Sequence, residues 1–287
     1  MRILVFGATG QVATALARAG AARHMRIDCL GRDQADLGDL GRIARAIAET
    51  PAAVVINAAA YTAVDRAESE AETAFAINAE APAAMAAAAA ARGLPFLHIS
   101  TDYVFPGTGQ RPWREDDPTD PLGVYGSSKR AGELAVAAAG GAYVILRTAW
   151  VFSPTGANFV KTMLRLGAAH DTVRIVADQH GGPTPADAIA AALLEIAAAF
   201  VAGRGQSGIF HFSGAPATTW ADFAAHIFRA AQLSPNITRI ATADYPTPAA
   251  RPANSVLDCS RIASVYGIAQ PDWRHALGAV LRELEAK

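Results

Sequence analysis

Cysteine is nearly absent from this 287-residue chain; Cys29 and Cys259 are the whole supply. Two thiols are too few for a disulfide framework, and their spacing matches no metal motif, so both read as reduced core thiols. Net charge is nearly absent too, with 25 Lys and Arg against 26 Asp and Glu. Such a balance offers no electrostatic footprint for nucleic acid or an anionic membrane. No apolar run reaches the roughly 20 residues of a membrane span. The longest low-complexity stretch, Ala83 to Ala91, is short and only mildly apolar. No leader precedes the first apolar run, because Met1-Arg2 passes directly into Ile3-Leu4-Val5-Phe6. The expectation is a soluble, cytoplasmic protein. The 7 histidines are scattered without ligand spacing on a helix and define no metal site. His98 lies in an apolar strand and reads as a satisfied core residue, while His180 and His211 are unassigned. No internal repeat is found.

What is present is an alternation of short apolar runs with Ala-rich helical stretches. Ala supplies much of the 52% hydrophobic content, which therefore signals helices more than greasy surface. Strands are expected at Ile3–Phe6, Met25–Leu30, Ala53–Asn57, Pro95–Ser100 and Ala142–Arg147. Helices are expected at about 11–19, 41–49, 68–92 with a kink or break at Pro82, and 125–139. Strands apolar throughout and separated by helices indicate a parallel sheet covered on both faces. That is an α/β, doubly wound (Rossmann) fold. After Trp150, Gly, Pro and Asn clusters become frequent. The reading is a dinucleotide-binding domain over 1–150 and a smaller, discontinuous substrate lobe over 151–287, with parts near 185–212 returning to the first domain.

Gly7-Ala8-Thr9-Gly10-Gln11-Val12 follows the first strand and opens the first helix. Gly7 permits the tight turn, Gly10 lets the backbone approach a pyrophosphate, and the helix N-terminus faces its negative charge. Gln11 and Val12 open that helix. The second strand ends at Arg32 rather than at an acidic residue, which favours a 2′-phosphate and hence NADPH, with NADH still open. Asp36 and Leu37 belong to the loop near the adenine. Ala58, Ala59 and Ala60 follow the third strand and are small enough for backbone to lie along a cofactor.

Tyr125 and Lys129, four apart on a helix, share one face. A free phenol has a pKa near ~10, and a nearby ammonium lowers it. Such a pair suits a reductase, in which a proton meets a carbonyl oxygen while hydride reaches its carbon. Thr101, with Asp102, ends the fourth strand at the carboxyl edge where ligands bind in open α/β sheets. The long loop from Pro106 to Gly123 is either a cover for substrate or a surface excursion.

Together these stretches resemble the dTDP-4-dehydrorhamnose reductases, a family of extended short-chain dehydrogenase/reductases. The resemblance continues in Arg147-Thr148-Ala149-Trp150, in Asn158-Phe159-Val160-Lys161, in Asp178 to Thr184 and in Tyr245 to Ser255, so it spans nearly the whole chain. It implies reduction of the 4-keto group of dTDP-4-dehydro-β-L-rhamnose. Tyr125 would donate the proton, and Lys129 would lower its pKa and hold the nicotinamide ribose. Thr101 would position the keto oxygen, Asp102 would meet the sugar, and Trp150 would wall the hexose. Arg251 is the candidate for the diphosphate, with Asn158 and Lys161 as further candidates. Alternatives are a non-catalytic NADP-binding regulatory subunit and another nucleotide-sugar reductase or epimerase of this fold. Some family members are described as magnesium-linked dimers with carboxylate ligands. Here Ala15 stands where an acidic ligand is expected in the first helix, although Asp187, Glu283 and Glu285 carry carboxylates. No metal is assigned, and a homodimer is left open.

Overall fold

A computed structural model describes residues 1–286. The first half opens with β1 (Arg2–Phe6), α1 (Gln11–Ala22), β2 (Arg26–Leu30), α2 (Leu40–Glu49) and β3 (Val54–Asn57). The short helices α3 (Val64–Ala67) and α4 (Ala71–Phe75) follow, then a π-turn over Ala76–Glu80 and α5 (Ala81–Ala91). Next come β4 (Phe96–Thr101), α6 (Val124–Ala138) and β5 (Tyr143–Thr148). The second half holds β6 (Val151–Phe152), α7 (Phe159–Ala169), β7 (Thr172–Val176), β8 (His180–Gly181) and β9 (Thr184–Pro185). It continues with α8 (Ala186–Val201), β10 (Gly208–His211), β11 (Thr218–Thr219), α9 (Trp220–Ala230) and β12 (Asn236–Ile240), and ends with α10 (Ser260–Tyr266) and α11 (Trp273–Glu285).

The main sheet runs β10-β5-β4-β3-β1-β2 and is parallel throughout. Its inner strands are buried on both faces, which is why they are apolar rather than alternating. On one face Ile3, Val5 and Leu97 pack with Leu16 of α1 and Ile189 and Leu193 of α8. On the other, Leu4, Val55 and Phe96 pack with Ile43 of α2, Met85 of α5 and Val136 of α6. The helical run Ala71–Ala91 has the length and hydropathy of a membrane span. It is instead a sheet-covering element whose Met85, Ala86 and Ala89 are buried in that second cluster.

Strand β2 lies on one side of β1 and β3 on the other, so the chain reverses direction across the sheet at β1/β3. Ligands bind at such a switch point. The strand at 208–211 pairs with β5 and closes the sheet edge. The rest of the second half gathers a separate core around Phe152, Val160, Phe223, Phe228, Trp273 and Leu277. Among the described residues no disulfide forms; Cys259 is buried and Cys29 partly so.

Candidate active site

A cleft of about 1360 Å³ opens at the carboxyl ends of β1, β3, β4 and β5. Gly7, Gly10, Gln11 and Val12 line it, as do Arg32, Asp36, Leu37 and Ala58 to Ala60. Gly7 has φ +113°, and a Cβ there would stand 3.3 Å from the Ala58 carbonyl, so this turn requires glycine. Helix α1 carries no side-chain cap at Gly10, which leaves its first N–H groups for a ligand. Arg32 is an exposed side chain at the rim. These features fit a phosphorylated dinucleotide: a bare helix N-terminus, a backbone-lined floor and one cation at the end of β2.

The same cleft is lined by Thr101, Asp102, Tyr125, Lys129 and Trp150. Thr101 Oγ1 donates to Asp102 Oδ1 at 3.0 Å and accepts from the Tyr103 N–H at 3.2 Å. Asp102 Oδ2 is buried without a hydrogen-bond partner among the described residues. Burial pushes the Asp102 carboxyl up to about 6, although hydrogen bonds to its charged form offset part of the rise.

The electrostatics of the phenol differ from expectation. Burial drives Tyr125 up to about 12, and the neighbouring Thr101 hydroxyl offsets only part of it. The Lys129 Nζ is held by β4, where it donates to the Ile99 carbonyl at 2.7 Å and lies 3.2 Å from His98 Nε2, and among the described residues no hydrogen bond joins it to the phenol. Burial lowers Lys129 to about 8, against the opposing charge of Glu133. Sharing a helix face therefore does not bring the ammonium onto the phenol oxygen.

Three expected substrate residues lie outside the cleft lining. Asn158 is not on a helix face beside Lys161. It is the N-cap of α7, where its Oδ1 accepts from the Lys161 N–H at 3.2 Å. Its amide and the Ser153 hydroxyl donate to Gln11 Oε1 at 3.1 and 2.9 Å. The segment 153–158 is thereby strapped to the start of α1, and Gly156 and Ala157 face the cleft. Lys161 sits in the first turn of α7, partly buried. Arg251 donates from Nη2 to both Asp65 oxygens at 2.8 Å, and Asp65 lies between the cleft-lining Val64 and Arg66 in α3.

None of the residues in the loop from Pro106 to Gly123 lines the cleft. Trp113 stacks on Phe105 at 4.8 Å, and its indole donates to the Asn254 carbonyl at 2.9 Å. Residues missed in the sequence are Tyr61, Arg66 and Tyr103, which also line the cleft. The signal was their adjacency to the Asn57–Ala60 and Thr101-Asp102 stretches.

A magnesium site does not fit. The Arg18 guanidinium holds both Asp187 oxygens at 2.5 and 2.6 Å and Glu283 at 2.9 Å. The two carboxylates thus already share a cation belonging to the chain, and no cluster of metal-ligating groups occurs among the described residues.

A dinucleotide cradle at a β1/β3 switch point, facing a Tyr and Lys one helical turn apart, defines the class as a short-chain dehydrogenase/reductase. A family model described as RmlD substrate binding domain matches residues 1–286. A Burkholderia thailandensis protein named dTDP-4-dehydrorhamnose reductase is 45% identical over 296 residues, covering 99% of each chain. The crystal structure of a dTDP-4-dehydrorhamnose reductase from Clostridium acetobutylicum superposes with a TM-score of 0.93 at 34% identity, covering 99% of this chain and 100% of that one. One from Bacillus anthracis, in complex with NADP, gives 0.92 at 31% identity over 98% and 99%. The chain belongs to the dTDP-4-dehydrorhamnose reductase family.

Proposed function

We propose that this protein reduces the 4-keto group of dTDP-4-dehydro-β-L-rhamnose to give dTDP-L-rhamnose, with NADPH as cofactor. The observation that supports this is the meeting of Tyr125, Thr101 and Lys129 with the glycine turn in one cleft. When bound, NADPH supplies the hydride to the carbonyl carbon. Tyr125 holds the proton that the keto oxygen takes. A phenol raised to about 12 stays protonated at neutral pH, which is the state a donor needs. Thr101 positions that oxygen, and Asp102, beside it on the cleft wall, meets the sugar. Trp150 walls the hexose. Lys129 faces the nicotinamide ribose, Arg32 the 2′-phosphate, Asp36 and Leu37 the adenosine end, and the Ala58–Ala60 backbone the chain between them. Arg251, paired with Asp65, stands at the diphosphate end.

In this division 1–150 serves the dinucleotide and 151–287 the sugar, with 185–212 shared through the pairing of 208–211 with β5. The reading implies a cytoplasmic enzyme with a small nucleotide-sugar substrate and neither nucleic acid nor membrane as partner. A homodimer is read by light scattering. The deciding experiment follows NADPH absorbance after adding the dTDP-4-keto sugar, beside a panel of other nucleotide-linked 4-keto sugars. Consumption with the dTDP substrate supports the reading. Tight NADP binding without turnover of any panel member would replace it with a non-catalytic subunit.

A further inference from the structure

A buried chain of side chains runs behind the cleft, and the reduction described so far does not use it. Asn57 ends β3, His98 lies in β4 and Lys129 in α6. All three are almost wholly buried. The Asn57 amide is oriented by its own turn, because Oδ1 accepts from the Ala59 N–H at 3.1 Å. Nδ2 therefore faces His98 Nδ1, 3.1 Å away. An amide donor there makes Nδ1 an acceptor, so the single proton of the neutral imidazole sits on Nε2. Nε2 is the atom that meets Lys129 Nζ at 3.2 Å. Toward an ammonium, which only donates, that Nε2–H is a mismatch. Toward a neutral amine it is a good hydrogen bond, and the amine still donates to the Ile99 carbonyl at 2.7 Å.

We infer that Asn57 and His98 are a positioning pair that fixes the hydrogen-bond polarity at Lys129 and so sets the pH at which this lysine takes up its proton. The inference rests on the reading of Lys129 as part of the reductive site. The other groups around Lys129 do not supply that polarity. On α6, Tyr125 stands one turn before it and Glu133 one turn after. The Glu133 charge favours the ammonium but is already held by Arg147 and Arg130 and by the Ser100 hydroxyl. From β4 comes His98 alone, which burial and then the Lys129 charge keep well below its usual range, so it stays neutral. Burial acts in the same sense as the pair, with Lys129 near 8. Because Asn57 also holds the turn carrying Ala58 and Ala59, one side chain joins the dinucleotide floor to the lysine.

Asn57→Asp reverses the polarity while keeping an oxygen for the Ala59 N–H. Its carboxylate accepts from His98 Nδ1–H, and Nε2 becomes an acceptor for an ammonium. The basic limb of the kcat/KM profile, and the Lys129 titration followed by NMR at its ε-carbon, both move up by about one pH unit or more. Nitrogen NMR of the wild-type imidazole shows the proton on Nε2, and in the variant on Nδ1. An unshifted Lys129 titration in the variant, or a wild-type proton on Nδ1, would overturn the inference. If the variant does not fold, the wild-type tautomer decides alone. If the dTDP sugar is not turned over, both NMR readings still decide.

Discussion

Trp150 and Trp220 lie face to face, 3.4 Å between ring centroids and 6° from parallel, although Trp150 sits at a left-handed φ of 48°. A non-glycine residue there carries a backbone cost on the order of 1–3 kcal/mol, which surrounding contacts must offset. Gly181 leaves room for the indole, since a Cβ there would stand 2.3 Å from the Trp150 ring. An aromatic pair contributes about 1 kcal/mol beyond burial. Trp220→Ala is therefore expected to raise the sugar KM about fivefold with little change in kcat, and Trp220→Phe to restore most of it. Steady-state kinetics at fixed NADPH check this; a fall in kcat alone would remove Trp220 as the support of the sugar wall.

Tyr125→Phe removes only the proton donor. Turnover should fall by about 10²- to 10⁴-fold. NADPH affinity, read by fluorescence titration, should change by less than about threefold, since no charge is lost from the dinucleotide floor. Full activity in the variant would refute the donor role.

Arg32→Ala tests cofactor choice. A hydrogen bond from a charged group contributes about 1.5–3 kcal/mol, so the NADPH KM should rise about 10- to 100-fold while that for NADH barely moves. Equal effects on the two cofactors would take Arg32 out of the 2′-phosphate site.

Asp102 gives stability a pH signature. Its carboxyl titrates near 6 in the fold against an ordinary value of 3.8. Between those values the folded chain holds a proton that the unfolded chain has released, so folding gains as pH falls. The gain is fully present below the unfolded value and is lost as pH rises through about 6. Relative to Asp102→Asn, the wild type should gain about 2.4 kcal/mol between about pH 7 and pH 4, read by urea unfolding at each pH. A parallel pH dependence in the two proteins would show that this carboxyl is not perturbed.

The sheet was legible because its buried strands are unbroken apolar runs, and their ends fell within a residue or so of the observed β1 to β5. Helix α1 runs three residues past the expected Ala19, through Gly20. That glycine serves close packing, since a Cβ there would lie 2.2 Å from the Ile27 side chain of β2. Pro82 reads as a kink or break. The irregularity lies just before it, in the π-turn, and the helical run continues through Pro82 into α5. Every residue expected at the dinucleotide lines the cleft, because the glycine turn, the end of β2 and the end of β3 are local patterns. Asn158, Lys161 and Arg251 were beyond such reasoning. A cap, and a pair between residues 65 and 251, are set by how distant segments meet. His98 reads as a satisfied core histidine, and so it is, but its partners lie 41 and 31 positions away.

Strand β4 serves both faces of the sheet. His98 and Ser100 point at α6, where they meet Lys129 and Glu133, while Leu97 and Ile99 pack in the cluster with α1 and α8. Inserting or deleting a single residue within this strand would flip every side chain to the opposite side. Oily groups would then confront the lysine, and the imidazole would be stranded among aliphatic neighbours. Drift in these six positions is thus confined to replacement in place, and length variation among relatives belongs in the loops on either side.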